Sequence, residues 1–368
     1  MLEQMRTYRR ELHRIPEIMF DLPKTRAYIL NALKDSRAQV EVTEKGGVTV
    51  FYDTGKPYAL AFRADMDALT VFEQTNVDFA SEHAGCMHAC GHDGHMAMLL
   101  MLCRWLEENA DGLPCNVLAV FQPAKESGGG AEHIAKSGIF EKRNVKGIYA
   151  LHVDPEFEMG VIATRPGAFM AKSSEVYITV RGRASHAAEW QKGVDSLEAC
   201  ADLYLKLLAM ERSIDPDTPR LLKFGLMKSG AALNIISDKT ELTGTMRAFD
   251  MNTFLWMKGQ LYALAGECEE AFGVKVEIFI TDGYPPVIND RAMFEQARAA
   301  LSEWKFIEME SPEMLAEDFA FYLQAVPGIM MKLGVGGSEK LHSPHFMFDE
   351  EALLPGLHAL IALAKAGL

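Results

Sequence analysis

Three short apolar runs, each ending in polar groups able to do chemistry, limit this chain more than any other feature. Residues 58–62 lead into Arg63, Asp65 and Asp67; residues 116–121 lead into Gln122, Lys125 and Glu126; residues 147–151 lead into His152 and Asp154. Short runs that are apolar throughout, rather than alternating, mark strands buried on both faces of a largely parallel sheet. A helical stretch over residues 96–108, with Leu99, Leu100, Cys103 and Leu106 on one face, sits between the first two. Strands that alternate with helices predict an α/β sheet, and such sheets collect ligands beyond the carboxyl ends of their strands. The polar residues fall at those ends, so one shared site is expected.

The pattern changes near Ser173. Residues 175–181 alternate as a half-exposed strand does, and residues 195–212 read as an amphipathic helix with Asp195 as its cap. Strands are expected over 221–226 and 240–249, a helix over 252–272 and a last strand over 274–281. This β-α-β-β-α-β order predicts an α+β, ferredoxin-like domain inserted into a larger one. The expected division is a discontinuous domain of residues 1–172 and 284–368, interrupted by residues 173–283. Two domains also suit 368 residues, because a single core stops growing near roughly 250–300.

Composition removes several classes of function. The net charge of −14, from 51 acidic and 37 basic residues, argues against a nucleic-acid partner, which would need a basic face. No apolar run approaches the roughly 20 residues of a membrane span, and no apolar leader opens the chain, so a cytoplasmic protein is expected. The six cysteines are dispersed along the chain, and a disulfide framework is not expected.

Residues 88–95 carry His88, Cys90, His92 and His95 within eight positions. Thiolate and imidazole are the ligands that zinc and its neighbours prefer. Gly91 permits the tight turn that lets Cys90 and His92 face one ion. A metal site needs further ligands from elsewhere in the chain.

Together with residues 63–69, 121–126, 151–153, 244–247, 316–319 and 341–344, this segment resembles the M20 metallopeptidase family, most closely its amidohydrolases of N-acyl amino acids. The resemblance covers nearly the whole chain, in the family's order. It implies a zinc-peptidase-like catalytic domain with a lid or dimerisation domain, and a homodimer. It also implies two divalent ions (zinc, manganese, cobalt or nickel) held by Cys90, His92, Glu126, His152 and His342. Asp65 would orient a ligand. His186 would donate a hydrogen bond to the carbonyl oxygen as charge develops there. Asn234 and Arg247 would hold the substrate carboxylate, Arg247 through its planar fork. Cys86 reads as structural, and His13, His133 and His358 as packed or surface residues. The expected partner is a small N-acyl amino acid, acetylated or aroylated. A dipeptidase and a silent ligand-binding relative are the rival readings.

The chain departs from the family at one chemically important place. Lys125 stands where the pattern has a glutamate that takes a proton from the attacking water and passes it to the leaving amine. An ordinary lysine, with a pKa of about 10.4, has no lone pair to accept that proton. Three readings stay open: impaired or altered activity, a neutral Lys125 acting as base under the influence of neighbouring cations, or one substitution in an otherwise ordinary enzyme. Thr70 and Ala316 are smaller departures that touch no expected ligand.

Overall fold

The runs that read as buried strands are strands, and their burial explains why they lack alternation. In the computed structural model, which describes residues 1–337 and 339–368, Ala59–Asp65 and Asn116–Gln122 are buried at every position. Val145–Asp154 is buried at all but one. They belong to an eight-stranded sheet ordered 39–42, 48–52, 116–122, 59–65, 145–154, 328–334, 162–164 and 306–308. The four strands at its centre run parallel. Antiparallel pairs flank them on either side. The sheet is therefore mixed and largely parallel, as expected. The register sets Asp65 opposite Gln122, and His152 opposite Lys332. Chemistry-bearing residues thus line up at the carboxyl ends of neighbouring strands.

By contacts the chain divides into two compact units. One comprises Met1–Phe169, Val287–Pro312 and Glu317–Leu368; the other comprises Met170–Pro286 and Glu313–Ala316. The second unit contains a four-stranded antiparallel sheet, ordered 275–280, 172–181, 239–248 and 220–229. This is the ferredoxin-like order, with the fourth strand beside the first. Every second residue of Lys172–Arg181 points inward, and Val176, Ile178 and Val180 share one core with Leu203, Leu207, Met257 and Leu261 of two helices. Those helices are Ser196–Ser213 and Met251–Phe272. Asp195 and Asp250 cap them, each carboxylate accepting from backbone N–H groups of the first turn.

One helix begins earlier than its apolar pattern suggests. It spans His92–Asn109, and its cap is Gly91 in the left-handed region at φ 79°. A Cβ at position 91 would lie 2.4 Å from Val153 Cγ2, so glycine is required on both counts. The earlier start places His92, Asp93 and His95 on the first helical turn. Among the described residues no helix is long and apolar enough to cross a membrane.

A buried ionic network ties the N-terminal helix Leu2–Arg14 to that turn. Arg9 and His13, one turn apart, both reach Asp93 Oδ2, at 3.2 Å and 2.8 Å. The second ring nitrogen of His13 lies 3.2 Å from Glu73 Oε1, so carboxylates flank the imidazole on both sides. Burial disfavours its charge, but Asp93 and Glu73 outweigh burial and push its pKa up to about 9. A raised histidine pKa stabilises the fold fully below the unfolded value near 6.5, and that stabilisation disappears as pH rises through 9. The unfolding free energy should therefore fall by about 3 kcal/mol at most between these limits. Urea denaturation across pH 6–10 checks this, and His13→Gln should flatten the slope. An unchanged slope in that variant would assign the loss to another group.

Candidate metal centre

The turn that follows Asn116–Gln122 is shaped by backbone contacts before its side chains matter. Ala124 takes a left-handed φ of 54°, uncommon for a residue with a Cβ. Asp67, fully buried, accepts from the next two amides: Lys125 N–H to Oδ1 and Glu126 N–H to Oδ2, both at 2.9 Å. The carbonyl of Asp67 also accepts from His92 Nδ1 at 2.6 Å. That bond puts a proton on Nδ1 and leaves Nε2 as the atom that could bind. Burial lowers the pKa of the ring, but Asp65 and Cys90 outweigh it and hold it well above the ordinary value, so an ion would have to displace the Nε2 proton. Asp67 therefore positions three neighbours, a role that becomes visible only once these segments adjoin.

His152 is set in the same way. Its Nδ1 donates to the Val153 carbonyl at 2.8 Å, which leaves Nε2 as the acceptor, 3.4 Å from Cys90 Sγ. His342 arrives from the far end of the chain with φ 69°, and its N–H donates to the Ala89 carbonyl at 2.8 Å. That bond fastens it beside the Cys90 segment. A non-glycine residue in this region is strained and persists where its surroundings hold it. Glu126 Oε1 lies 3.3 Å from His92 Nε2 and 3.9 Å from His342 Nε2. The five side chains read from sequence as ligands thus stand side by side.

Their atoms fall into two adjoining sets: Asp65, His92, His95 and His152, and Cys90, Glu126 and His342, with donor atoms of each set within 4.8 Å of one another. His95 is the odd member. Its Nδ1 donates to Asp65 Oδ1 at 2.6 Å, and its Nε2 accepts from Val153 N–H at 2.9 Å. Both nitrogens are used, so His95 braces Asp65 and has no lone pair left for an ion. His88 is buried nearby, and neither ring nitrogen has a hydrogen-bond partner among the described residues. Cys86 belongs to neither set.

The electrostatics suit cations. Burial pushes the Cys90 thiol up to about 11 against the pull of Lys125, so its loss of a proton must be driven by an ion. Burial, aided by His95 and Lys125, holds His152 well below its ordinary value. Burial also lowers His342. Both rings are then neutral, the form that ligates metals. Burial raises the Glu126 carboxyl, but Lys125 and His92 outweigh it and bring it down to about 2. His92 Nε2 is buried without a hydrogen-bond partner among the described residues, an orphan that a metal would satisfy. The donor set and this orphan fit divalent ions.

Lys125 does not sit apart from this cluster. Its Nζ lies 3.3 Å from Glu126 Oε1, 3.5 Å from Glu317 Oε2 and 3.8 Å from Cys90 Sγ. Burial lowers its pKa, yet the surrounding anions, Cys90 and Glu317 foremost, hold it well above the ordinary lysine value. Ions held by Cys90 and Glu126 would take up two of these anions, so the reading of Lys125 as a neutral base under the influence of cations stays open. Behind it Arg63, fully buried, joins Asp65 Oδ2 at 2.8 Å, Glu317 Oε1 at 2.9 Å and Asp318 Oδ1 at 3.3 Å. It also donates to Gln122 Oε1 at 2.8 Å. Removing one partner from a buried ionic network leaves charge uncompensated, so Arg63→Met should cost about 3–5 kcal/mol. Chemical denaturation measures it, and a loss under about 1 kcal/mol would show that the carboxylates find other partners.

The remaining residues read from sequence lie in the second unit. His186 and Asn234 are exposed and adjacent: the Ala187 N–H donates to the Asn234 carbonyl at 2.9 Å, and His186 bridges to Ile235. His186 Nδ1 accepts from Ala188 N–H at 3.1 Å. Arg247 sits on Lys239–Ala248, half-buried, with Nη1 donating to the Met314 carbonyl.

Comparison with known proteins agrees with this geometry. Residues 61–366 match the model of peptidase family M20/M25/M40. The N-acetyldiaminopimelate deacetylase of Shouchella clausii is 36% identical over 367 residues, covering 97% of this chain and 96% of that protein. The N-acetyl-L-cysteine deacetylase of Bacillus subtilis is 32% identical over 368 residues, covering 99% and 88%. A solved Bacillus subtilis structure, described as a dinuclear metal binding peptidase from the M20 family, superposes with a TM-score of 0.88 at 27% identity, covering 99% and 97%. The chain belongs to peptidase family M20/M25/M40, in its branch of metal-dependent amide hydrolases.

Proposed function

We propose that the protein removes the acyl group from N-acyl amino acids by hydrolysing their amide bond. Cys90, His92, Glu126, His152 and His342 would hold two divalent ions. One observation carries this reading: thiol, carboxyl and three imidazoles from distant segments converge, with Nδ1 of both His92 and His152 bound to a backbone carbonyl so that Nε2 is the nitrogen left for an ion. Thiol and imidazole donors favour zinc and its neighbours, with manganese, cobalt and nickel as the alternatives. When bound, such ions supply Lewis acidity toward the amide carbonyl and toward water.

The other side chains hold and orient. Asp65, braced by Arg63 and His95, lies with Oδ2 3.5 Å from His92 Nε2 and would hold that ring's orientation in the site. His186 donates to the oxygen on which charge develops, a contact worth roughly 3–4 kcal/mol when well aimed. Asn234 and Arg247 grip the carboxylate of the amino acid. Lys125 is taken in this reading as a cation beside Glu317, 3.5 Å away, and not as the base. The two relatives named above both carry deacetylase names, which supports an acetyl over an aroyl group.

Protein loaded in turn with zinc, manganese and cobalt should release acetate from a panel of N-acetyl amino acids faster than it cleaves dipeptides. Preferential dipeptide cleavage would replace the deacylase by a dipeptidase. Tight binding of the amino acid without turnover would favour the silent relative that the ion pairs of Lys125 suggest.

A further inference from the structure

Among the described residues, no helix or strand falls between Gly334 and Glu350, the stretch that carries His342. Contacts to distant segments hold it instead. Besides the bond from His342 to Ala89, the Pro344 carbonyl accepts from Gln74 N–H at 2.8 Å, and His345 Nδ1 donates to the Gln74 carbonyl at 3.0 Å. The Phe348 carbonyl accepts from Arg9 Nη1 at 3.3 Å, and the Arg9 guanidinium lies 3.8 Å from the centre of the Phe348 ring. Gln74 is fixed in turn by its neighbour. Glu73 Oε1 accepts from His13 Nε2 at 3.2 Å and from the Thr75 hydroxyl, and Glu73 Oε2 accepts from Ser81 N–H at 2.7 Å. The peptide that joins Glu73 to Gln74 is planar and stiff, so it carries the hold on Glu73 to the N–H that reaches Pro344.

The same two side chains of the N-terminal helix also hold the segment of His92. His13 Nδ1 donates to Asp93 Oδ2 at 2.8 Å, and Arg9 Nε donates to the same oxygen at 3.2 Å. Asp93 follows His92 on the first helical turn. Both partners of His13 are carboxylates, which only accept, so the ring bridges them with a proton on each nitrogen. We infer that Arg9 and His13 are positioning residues of the metal centre: from one helix they fix His92 through Asp93, and His342 through Glu73, the Gln74 backbone and Phe348. This rests on the ligand assignment proposed above. The φ of 69° at His342 needs support from its surroundings, and groups that orient ligands also set metal affinity.

The test is metal affinity, read by competition between the protein and a chromophoric chelator for zinc. Arg9→Gln, His13→Gln and Glu73→Gln should each bind zinc on the order of 10–100-fold more weakly than the wild type. Excess zinc should restore their rate and leave KM unmoved. Tyr52→Phe removes a buried hydrogen bond to the Cys103 carbonyl, outside this chain of contacts; it should lose stability and keep the wild-type affinity. Variants at 9, 13 and 73 that lose stability yet hold zinc as tightly as the wild type would overturn the inference and leave the metal centre standing. The wild type itself supplies a second readout should the variants misfold. Coupling between linked equilibria is reciprocal, so zinc should slow hydrogen exchange at the amides of Gln74 and Ser81, neither of which adjoins a ligand in sequence. Exchange there that ignores zinc would overturn the inference too. A wild type that binds no metal would remove the ligand assignment, and the inference with it.

Discussion

Lys125→Glu is expected to raise kcat/KM for hydrolysis of N-acyl amino acids by about 10²–10⁴-fold, the usual contribution of a positioned general base. The backbone at this position is already held for the task, because Asp67 grips the amides of residues 125 and 126 at 2.9 Å. A glutamate here would stand beside Glu126 and Glu317, the carboxylates now paired with the ammonium. Like charges would raise its pKa from the ordinary 4.3 toward the working pH, where a base is most effective. Two effects are combined in the exchange, since it removes a cation and supplies a proton acceptor. Lys125→Met separates them: it removes the cation only, and should recover much less activity than Lys125→Glu. Steady-state rates on an N-acetyl amino acid, at matched metal content, decide the matter. If the glutamate variant is no faster than the wild type, the chemistry does not pass through position 125.

Much of this site is legible in the sequence because its ligands sit at places that sequence marks. Glu126 and His152 follow apolar runs that could only be buried strands, and Cys90 and His92 flank a glycine that the turn requires. What sequence does not mark is pairing across hundreds of positions. Arg63 meets Glu317 and Asp318, and Gln122 meets Asp318, contacts that exist only once the sheet has formed. The start of the helix at His92 was hidden for a local reason. Its cap is a left-handed glycine without a side-chain hydrogen bond, so the usual Ser, Thr or Asp signal is absent. His95 shows the limit of reading by residue type. It has the spacing of a ligand, and only its two hydrogen bonds reveal that it has no free lone pair. Lys125 shows the opposite case: its identity alone flagged a departure, and the structure adds which groups surround it, Glu126, Glu317 and Cys90.

Removing the metals should abolish hydrolysis, with kcat/KM falling by more than about 10³-fold. A Lewis acid supplies several kcal/mol of stabilisation to charge developing on the amide oxygen, and about 4 kcal/mol corresponds to that factor. No other group described in the first unit could replace it. Burial holds Cys90 protonated, His95 is engaged at both nitrogens, and the Lys125 ammonium is tied to carboxylates. The measurement is best made in Lys125→Glu, where the larger rate gives the wider range. Dialysis against a chelator should silence that protein, and zinc, manganese or cobalt should restore it. His92→Ala should lose activity to a similar extent without recovery on metal addition, because its Nε2 is the buried donor that has no hydrogen-bond partner to fall back on. His95→Gln should behave differently. It loosens Asp65 without deleting a ligand, so added metal should restore part of its rate. Hydrolysis that persists once metal analysis finds far less than one ion per chain would remove the two-metal centre, whatever the fold suggests.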